Sequence, residues 1–103
     1  MSFKKILIII LFLAFAEISL ADEKMTLGLS VFNNKGQCNM CHILKAAESK
    51  GQIGPSLDLL KPQTQQIISV VSNGIGVMPS FKGTLSSEEI DAVAHYVSIS
   101  ASK

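Results

Sequence analysis

The chain has 103 residues, of which nine are basic and eight acidic, so its formal net charge at pH 7 is only +1. All the basic residues are lysines, and neither arginine nor tryptophan occurs. This balance argues against nucleic-acid binding, which depends on a strongly basic surface, and the lack of arginine removes the usual bidentate phosphate ligand. A folded domain of this size has a small core and is marginally stable without a covalent or metal-based crosslink.

The first 21 residues are typical of an export signal. Two lysines precede an unbroken apolar run at 6–16, and Ser19 and Ala21 fit the small-x-small pattern of a cleavage site. The apolar run is shorter than the roughly 20 residues of a membrane-spanning helix, which favours cleavage over a permanent anchor. We therefore expect a signal peptide at 1–21, a single mature domain at 22–103, and a periplasmic location.

A first helix is predicted over residues 23–32, where apolar side chains recur at the i, i+4, i+7 spacing of one helical face. Asp22 can cap its start, and Gly36 marks its end. Gly28 lies in the middle of this helix, where glycine costs about 1 kcal/mol relative to alanine. We expect a second helix to cross closely at Gly28, and the alternative is that the helix simply tolerates a glycine there.

Residues 38–47 are predicted to form a short helix that begins with the motif Cys38-Asn39-Met40-Cys41-His42. Two thiols at this spacing can bond to the two vinyl groups of one porphyrin, and the imidazole that follows can bind its iron. The motif is therefore typical of covalent haem c attachment. A redox-active disulfide, half of a zinc site and a structural crosslink are the alternatives. The first needs a surrounding βαβ pattern, which is not predicted, and the second has only His95 as a further ligand.

A polar, glycine-marked loop is predicted at 48–55. Pro55 has no backbone N–H but keeps its carbonyl, and a carbonyl beside the haem-binding histidine can accept from the second ring nitrogen and fix the orientation of the ring. An ordinary turn before Leu57 is the alternative, which the periodicity alone favours. Pro62 then opens the next predicted helix, and Asn73-Gly74 closes it.

Residues 75–83 contain too much glycine and proline for a helix or a central strand, and they are predicted to form a loop that presents Met78. A methionine thioether suits the second axial position of an electron-transfer haem iron. Met25 faces the predicted core and Met40 lies between the attachment cysteines, so neither easily reaches the opposite face of the haem. Met78 is therefore the predicted distal ligand, with His95 as the remaining alternative.

A last helix is predicted to begin at a capping box formed by Ser86 and Glu89. Its predicted buried stripe consists of Ile90, Val93, Ala94 and Val97. His95 is adjacent to this stripe, which is more typical of a residue at the boundary of the core than of an iron ligand.

With these elements placed, the whole mature chain resembles the class I c-type cytochromes. The resemblance rests on Gly28 with Phe32, the attachment motif, Gly54-Pro55-x-Leu57, Met78-Pro79, and Tyr96 on the last helix. It implies an all-α fold of three to five helices wrapped around one haem c attached through Cys38 and Cys41, with the first and last helices crossing at the glycine. It also implies that His42 and Met78 bind the iron and that the carbonyl of Pro55 accepts a hydrogen bond from His42.

Three stretches, at 42–47, 53–62 and 73–79, resemble more narrowly the small monohaem subunit of sulfite dehydrogenases. In those enzymes a molybdenum-cofactor subunit oxidises sulfite and passes the electrons to the cytochrome. The resemblance implies an electron carrier rather than an enzyme, with that subunit and a downstream cytochrome or oxidase as its partners. A haem-based sensor of small ligands, with a labile Met78, is the alternative function.

Overall fold

The computed structural model describes residues 19–102, and this part of the chain is mainly helical. Its α-helices are α1 (Leu20–Ser30), α2 (Leu57–Leu60), α3 (Thr64–Asn73) and α4 (Ser87–Ala101). Between α1 and α2 lie a π-helical turn (Val31–Lys35), two 3-10 turns (Cys38–Met40 and Lys45–Ala47) and two antiparallel strands, β1 (Ile43–Leu44) and β2 (Ser49–Lys50). The predicted all-α class is confirmed. None of the described helices is long and apolar enough to cross a membrane.

The core lies where α1 and α3 pack against α4. The predicted stripe of α4 is buried at all of its positions, which are Ile90, Val93, Ala94 and Val97. Phe32 from the π-helical turn and Leu44 from β1 are fully buried in the same cluster. The segments on either side of the attachment motif are therefore fixed to the core.

Helices α1 and α4 cross at Gly28, as the sequence predicts. A Cβ atom at Gly28 would lie 2.5 Å from the Cβ atom of Tyr96 and closer still to the carbonyl oxygen of Ala92. The rings of Phe32 and Tyr96 have centroids 6.1 Å apart and planes inclined by 60°, a tilted arrangement that aromatic pairs favour. The approach of the two helix backbones therefore depends on the absence of a side chain at Gly28.

Helix α4 begins with the predicted capping box. The hydroxyl oxygen of Ser86 accepts from the backbone N–H of Glu89 at 3.1 Å, and the Glu89 carboxylate accepts from the backbone N–H of Ser86 at 2.9 Å. These two bonds satisfy donors that a helix N-terminus otherwise leaves without partners. The first turn of α4 is thus fixed by its own side chains.

Helix α1 starts earlier than predicted. Ser19 is extended and precedes the first turn, and its carbonyl accepts from the backbone N–H of Asp22 at 2.9 Å. Asp22 therefore lies inside the first turn, where its negative charge interacts favourably with the positive end of the helix dipole. Its predicted role as the N-cap is wrong. The predicted cleavage after Ala21 falls within this turn and stays a prediction, because most of the leader, at 1–18, lies outside the described residues.

The helix predicted over 38–47 is wrong beyond its first turn. Ile43 and Leu44 are extended and pair with β2. The hydroxyl oxygen of Ser49 accepts from the backbone N–H of Leu44 at 2.9 Å, and Glu48 turns the chain back with a left-handed φ of 55°. This pairing depends on residues that follow the predicted helix, so helical spacing within it does not reveal the strand.

Helix α3 begins at Thr64 rather than at Pro62. Lys61 adopts a left-handed φ of 47° and ends α2, and Gln63 is extended at the start of α3. Because a proline ring disfavours helical geometry in the residue before it, Pro62 separates α2 from α3 instead of opening α3. The predicted end of α3 at Asn73-Gly74 is confirmed, with the glycine at a φ of 75°.

We expect Gly28→Ala to lower the free energy of unfolding by about 1–3 kcal/mol, because the added methyl group must push α1 away from α4. Gly83→Ala is the matched control, since a Cβ atom at Gly83 meets nothing within 4 Å. Urea unfolding followed by circular dichroism measures both effects. Equal stabilities of the two variants would contradict the crossing geometry.

Candidate functional site

The cysteines and the histidine of the motif lie on one tight turn. Gln37 precedes this turn with a left-handed φ of 50°. The carbonyl oxygen of Cys38 accepts from the backbone N–H of Cys41 at 3.2 Å and from that of His42 at 3.0 Å. Both thiols are half-buried and free of disulfide bonds, so both are available for covalent attachment.

Burial raises the pKa of the Cys38 thiol to about 11. A backbone hydrogen bond lowers this pKa in part, and the nearby Cys41 raises it further. At neutral pH Cys38 is therefore a protonated thiol. Redox-active cysteine pairs instead have a cysteine with a lowered pKa, so the raised pKa of Cys38 does not favour the redox-disulfide alternative. The zinc alternative does not fit, because residues 19–102 contain no cluster of three or more His, Cys, Asp or Glu side chains arranged for a metal ion.

The backbone carbonyl of Pro55 holds the imidazole of His42. Nδ1 of His42 lies 2.8 Å from the Pro55 oxygen. Because a carbonyl only accepts, Nδ1 carries the proton and donates it, which leaves the lone pair of Nε2 free for a metal ion. Gly54 packs against the same ring, since a Cβ atom there would lie 2.5 Å from Cε1 of His42. Two consecutive loop residues thus fix the orientation of His42.

The loop before α2 is itself fixed to the attachment turn. Gly54 N–H donates to the carbonyl of Cys41 at 2.8 Å, and a Cβ atom at Gly51 would lie 2.6 Å from the backbone nitrogen of Cys41. Beyond the loop, the carboxylate of Asp58 accepts from the backbone N–H of Lys45 at 2.8 Å. Side chains larger than glycine at positions 51 and 54 would separate the loop from the turn. The sequence marks both glycines only as loop residues, so these contacts were not predicted.

Met78 lies on a separate loop, between α3 and α4. Its N–H donates to the carbonyl of Ile75 at 2.9 Å, and its carbonyl accepts from the Ile75 N–H at 3.0 Å, which closes a tight turn. The backbone N–H of Phe81 donates to the carbonyl of Val71 at 2.9 Å and ties the loop to α3. The Met78 side chain is half-buried and packs against the same core cluster as Cys38.

The other candidate ligands lie where their sequence positions predict. Met25 is half-buried against the core, whereas Met40 is 65% exposed between the two cysteines. His95 is half-buried on α4, adjacent to the buried stripe. Met25 and His95 therefore belong to helices that the core fixes, and Met40 belongs to the attachment turn itself.

Large apolar side chains are exposed around the loops that carry Pro55 and Met78. Their exposed fractions lie between 66% and 89%, and they belong to Ile53, Leu59, Ile75 and Val77. Large apolar side chains exposed on loops of this kind are typical of a surface that a ligand or a partner covers. Together with two free thiols and an imidazole whose Nε2 is available, the surface fits a large, flat, apolar group that is covalently attached, as haem c is.

Comparisons with known proteins agree with this geometry. Residues 23–97 match the model of the family described as cytochrome c oxidase, cbb3-type, subunit III. Cytochrome c6 of Microcystis aeruginosa is 36% identical over 80 residues, covering 74% of this chain and 96% of that protein. Cytochrome c6 of Leptolyngbya boryana is 38% identical over 84 residues, covering 74% of this chain and 92% of that protein. The solved structure of the c-type cytochrome SorU from Sinorhizobium meliloti is 45% identical, with a TM-score of 0.74, and covers 80% of this chain and 95% of that chain.

The chain therefore belongs to the class I c-type cytochromes. It is a monohaem electron carrier rather than an enzyme, and its haem c is attached covalently through Cys38 and Cys41. The family resemblance of the sequence and the helix crossing at Gly28 are thus both confirmed.

The contact between Gly54 and His42 provides a direct test of this site. A methyl group at position 54 has to displace the imidazole or the loop, so we expect Gly54→Ala to lower the free energy of unfolding by about 1–3 kcal/mol. We also expect it to change the visible absorption spectrum of the haem-loaded protein. Gly83→Ala again serves as the control, and a Gly54→Ala protein with the stability and spectrum of that control would contradict the packing of the loop on His42.

Proposed function

We propose that the electron is carried on a haem iron bound by His42 and Met78, with Pro55 holding His42 in the orientation for binding. The observation that carries this proposal is the 2.8 Å contact between Nδ1 of His42 and the carbonyl oxygen of Pro55. It supports the proposal because a ring that donates from Nδ1 keeps a lone pair on Nε2, which can then bind a metal ion.

Each of these residues has a separate task. Thioether bonds from Cys38 and Cys41 hold the haem next to His42, because the three residues share one turn. When bound, the haem supplies the one-electron exchange between ferrous and ferric iron. The thioether of Met78 would be the second protein ligand of the iron, and with both His42 and Met78 bound the iron would offer no open position to a substrate. A histidine and methionine pair is typical of electron-transfer cytochromes.

The contacts of the Met78 loop favour the carrier over a sensor that releases its methionine. Two hydrogen bonds between Met78 and Ile75 close the turn, and the bond from Phe81 to Val71 holds it on α3. These bonds restrict the position of the Met78 backbone and so limit how far its thioether can move. A carrier needs a ligand that stays bound in both oxidation states, which is what this loop favours.

We further propose that residues 1–21 are removed as a signal peptide and that residues 22–103 act in the periplasm. The support lies in the sequence, where a charged start, an apolar run and a small-residue cleavage site follow one another. Covalent attachment to haem also explains two cysteines in an exported domain that would otherwise be expected to form a disulfide bond.

The proposed electron donor is a molybdenum-cofactor subunit that oxidises sulfite, and the proposed acceptor is a downstream cytochrome or oxidase. The support is the likeness of residues 42–47, 53–62 and 73–79 to the small subunit of sulfite dehydrogenases. These stretches contain His42, the loop of Pro55 and the loop of Met78. The likeness therefore falls on the parts of the chain that surround the proposed iron site.

Met78→Ala is expected to abolish the weak near-infrared sulfur-to-iron absorption band of the ferric protein, because the band needs a bound thioether. The same variant is expected to bind carbon monoxide in the ferrous state. His95→Ala is the control and should keep the band and, like the parent protein, a ferrous spectrum that carbon monoxide leaves unchanged at neutral pH. A band that persists in Met78→Ala, or that is already absent from the parent protein, would contradict Met78 as the ligand, and carbon monoxide binding by the parent would favour the sensor.

The proposed partner is tested by mixing the purified ferric protein with a molybdenum-containing sulfite-oxidising enzyme. We expect sulfite to reduce the haem only when both proteins are present, and sulfate to have no effect. The absorption spectrum of the haem follows the reaction. Absence of reduction would contradict this donor and would leave the assignment of the iron ligands untouched, since that rests on the Met78 variant.

A further inference from the structure

The segment that leads from α1 into the attachment turn is closely packed. The backbone N–H of Gly36 donates to the carbonyl of Val31 at 2.7 Å, which closes the π-helical turn. Gly36 is buried, and a Cβ atom there would lie 2.9 Å from the Val31 oxygen and 3.2 Å from the sulfur of Cys38. Because Gly36 has no free space around it, a movement of Lys35, the last residue of the π-helical turn, would also move Cys38.

Lys35 is tied to the start of α4. Its Nζ lies 2.9 Å from Oε1 of Glu89, which is the one ion pair between side chains of residues 19–102. The same Oε1 atom accepts from the backbone N–H of Ser86 at 2.9 Å. A single carboxylate oxygen thus joins the capping box of α4 to the segment that precedes the attachment turn.

The geometry of Glu89 makes this pair more favourable than most exposed ion pairs. Such pairs contribute little because two long side chains must be ordered to form them. Glu89 is already ordered by the capping box and its side chain is only 17% exposed, so pairing orders Lys35 alone. Hydrogen bonds from Ser86 and Lys35 hold the pKa of Glu89 below its usual value, so the carboxylate is charged at neutral pH.

We propose that Glu89 is a positioning residue for the haem-attachment turn, because through Lys35 it ties the start of α4 to the segment that leads into Cys38. The opposite end of the turn is held by the 2.8 Å bond from Gly54 N–H to the carbonyl of Cys41. The turn that carries both thiols and His42 is then restrained from both ends.

The test is amide hydrogen exchange, measured by nuclear magnetic resonance on the reduced, haem-loaded protein. Glu89→Gln keeps an oxygen that accepts from Ser86 but loses the charge that binds Lys35, and Lys35→Met removes only the ion pair. We expect the amides of residues 36–41 to exchange about two- to fivefold faster in each variant, the range that corresponds to loss of an exposed ion pair. The double variant should exchange no faster than either single variant, since both remove the same interaction.

Two further variants separate positioning from general effects. Glu88→Gln removes the same charge from the neighbouring, exposed position and should leave residues 36–41 at the parent rates. Lys35→Arg keeps the positive charge and should restore those rates. Acceleration confined to the first turn of α4 in Glu89→Gln, with no change in Lys35→Met, would overturn the proposal, as would equal acceleration in Glu88→Gln.

Discussion

The hydrogen bond from the imidazole of His42 to the carbonyl of Pro55 is the constraint on which the site depends. It decides which ring nitrogen keeps a lone pair, and it orients the ring. Because the acceptor is a backbone carbonyl, no single side-chain replacement at Pro55 removes the oxygen itself. The position of that oxygen instead depends on how closely the loop approaches the attachment turn, which the absence of side chains at Gly51 and Gly54 permits. The orientation of the His42 ring is thus controlled by the packing of a loop as well as by the histidine itself.

The rest of the fold fixes the two sides of this site. The attachment turn follows α1 and the Met78 loop follows α3, and both helices pack against α4. The contact between α1 and α4 depends on the absence of a side chain at Gly28. The start of α4 is held by its capping box, in which Glu89 also binds Lys35. A domain of this size has a small core of its own. A covalently attached haem adds a large apolar surface to that core.

Features that depend on neighbouring residues could be predicted from the sequence. The attachment motif and the capping box at Ser86 are short patterns with a direct chemical reason, and a glycine within a helix, as at Gly28, needs a close neighbour to explain it. The rest depends on residues outside each predicted element. Strand β1 pairs with Ser49 and Lys50 of β2, which follow the predicted helix, and Lys35 pairs with a carboxylate 54 positions away. No local spacing encodes such partners.

The state of the His42 ring in the reduced, haem-loaded protein is the most direct measurement of the central claim. Long-range proton–nitrogen spectra of the ring should show a slowly exchanging proton on Nδ1 and none on Nε2. A coupling across the hydrogen bond should link that nitrogen to the carbonyl carbon of Pro55. A ring with its proton on Nε2, or an Nδ1 proton without coupling to Pro55, would contradict the account.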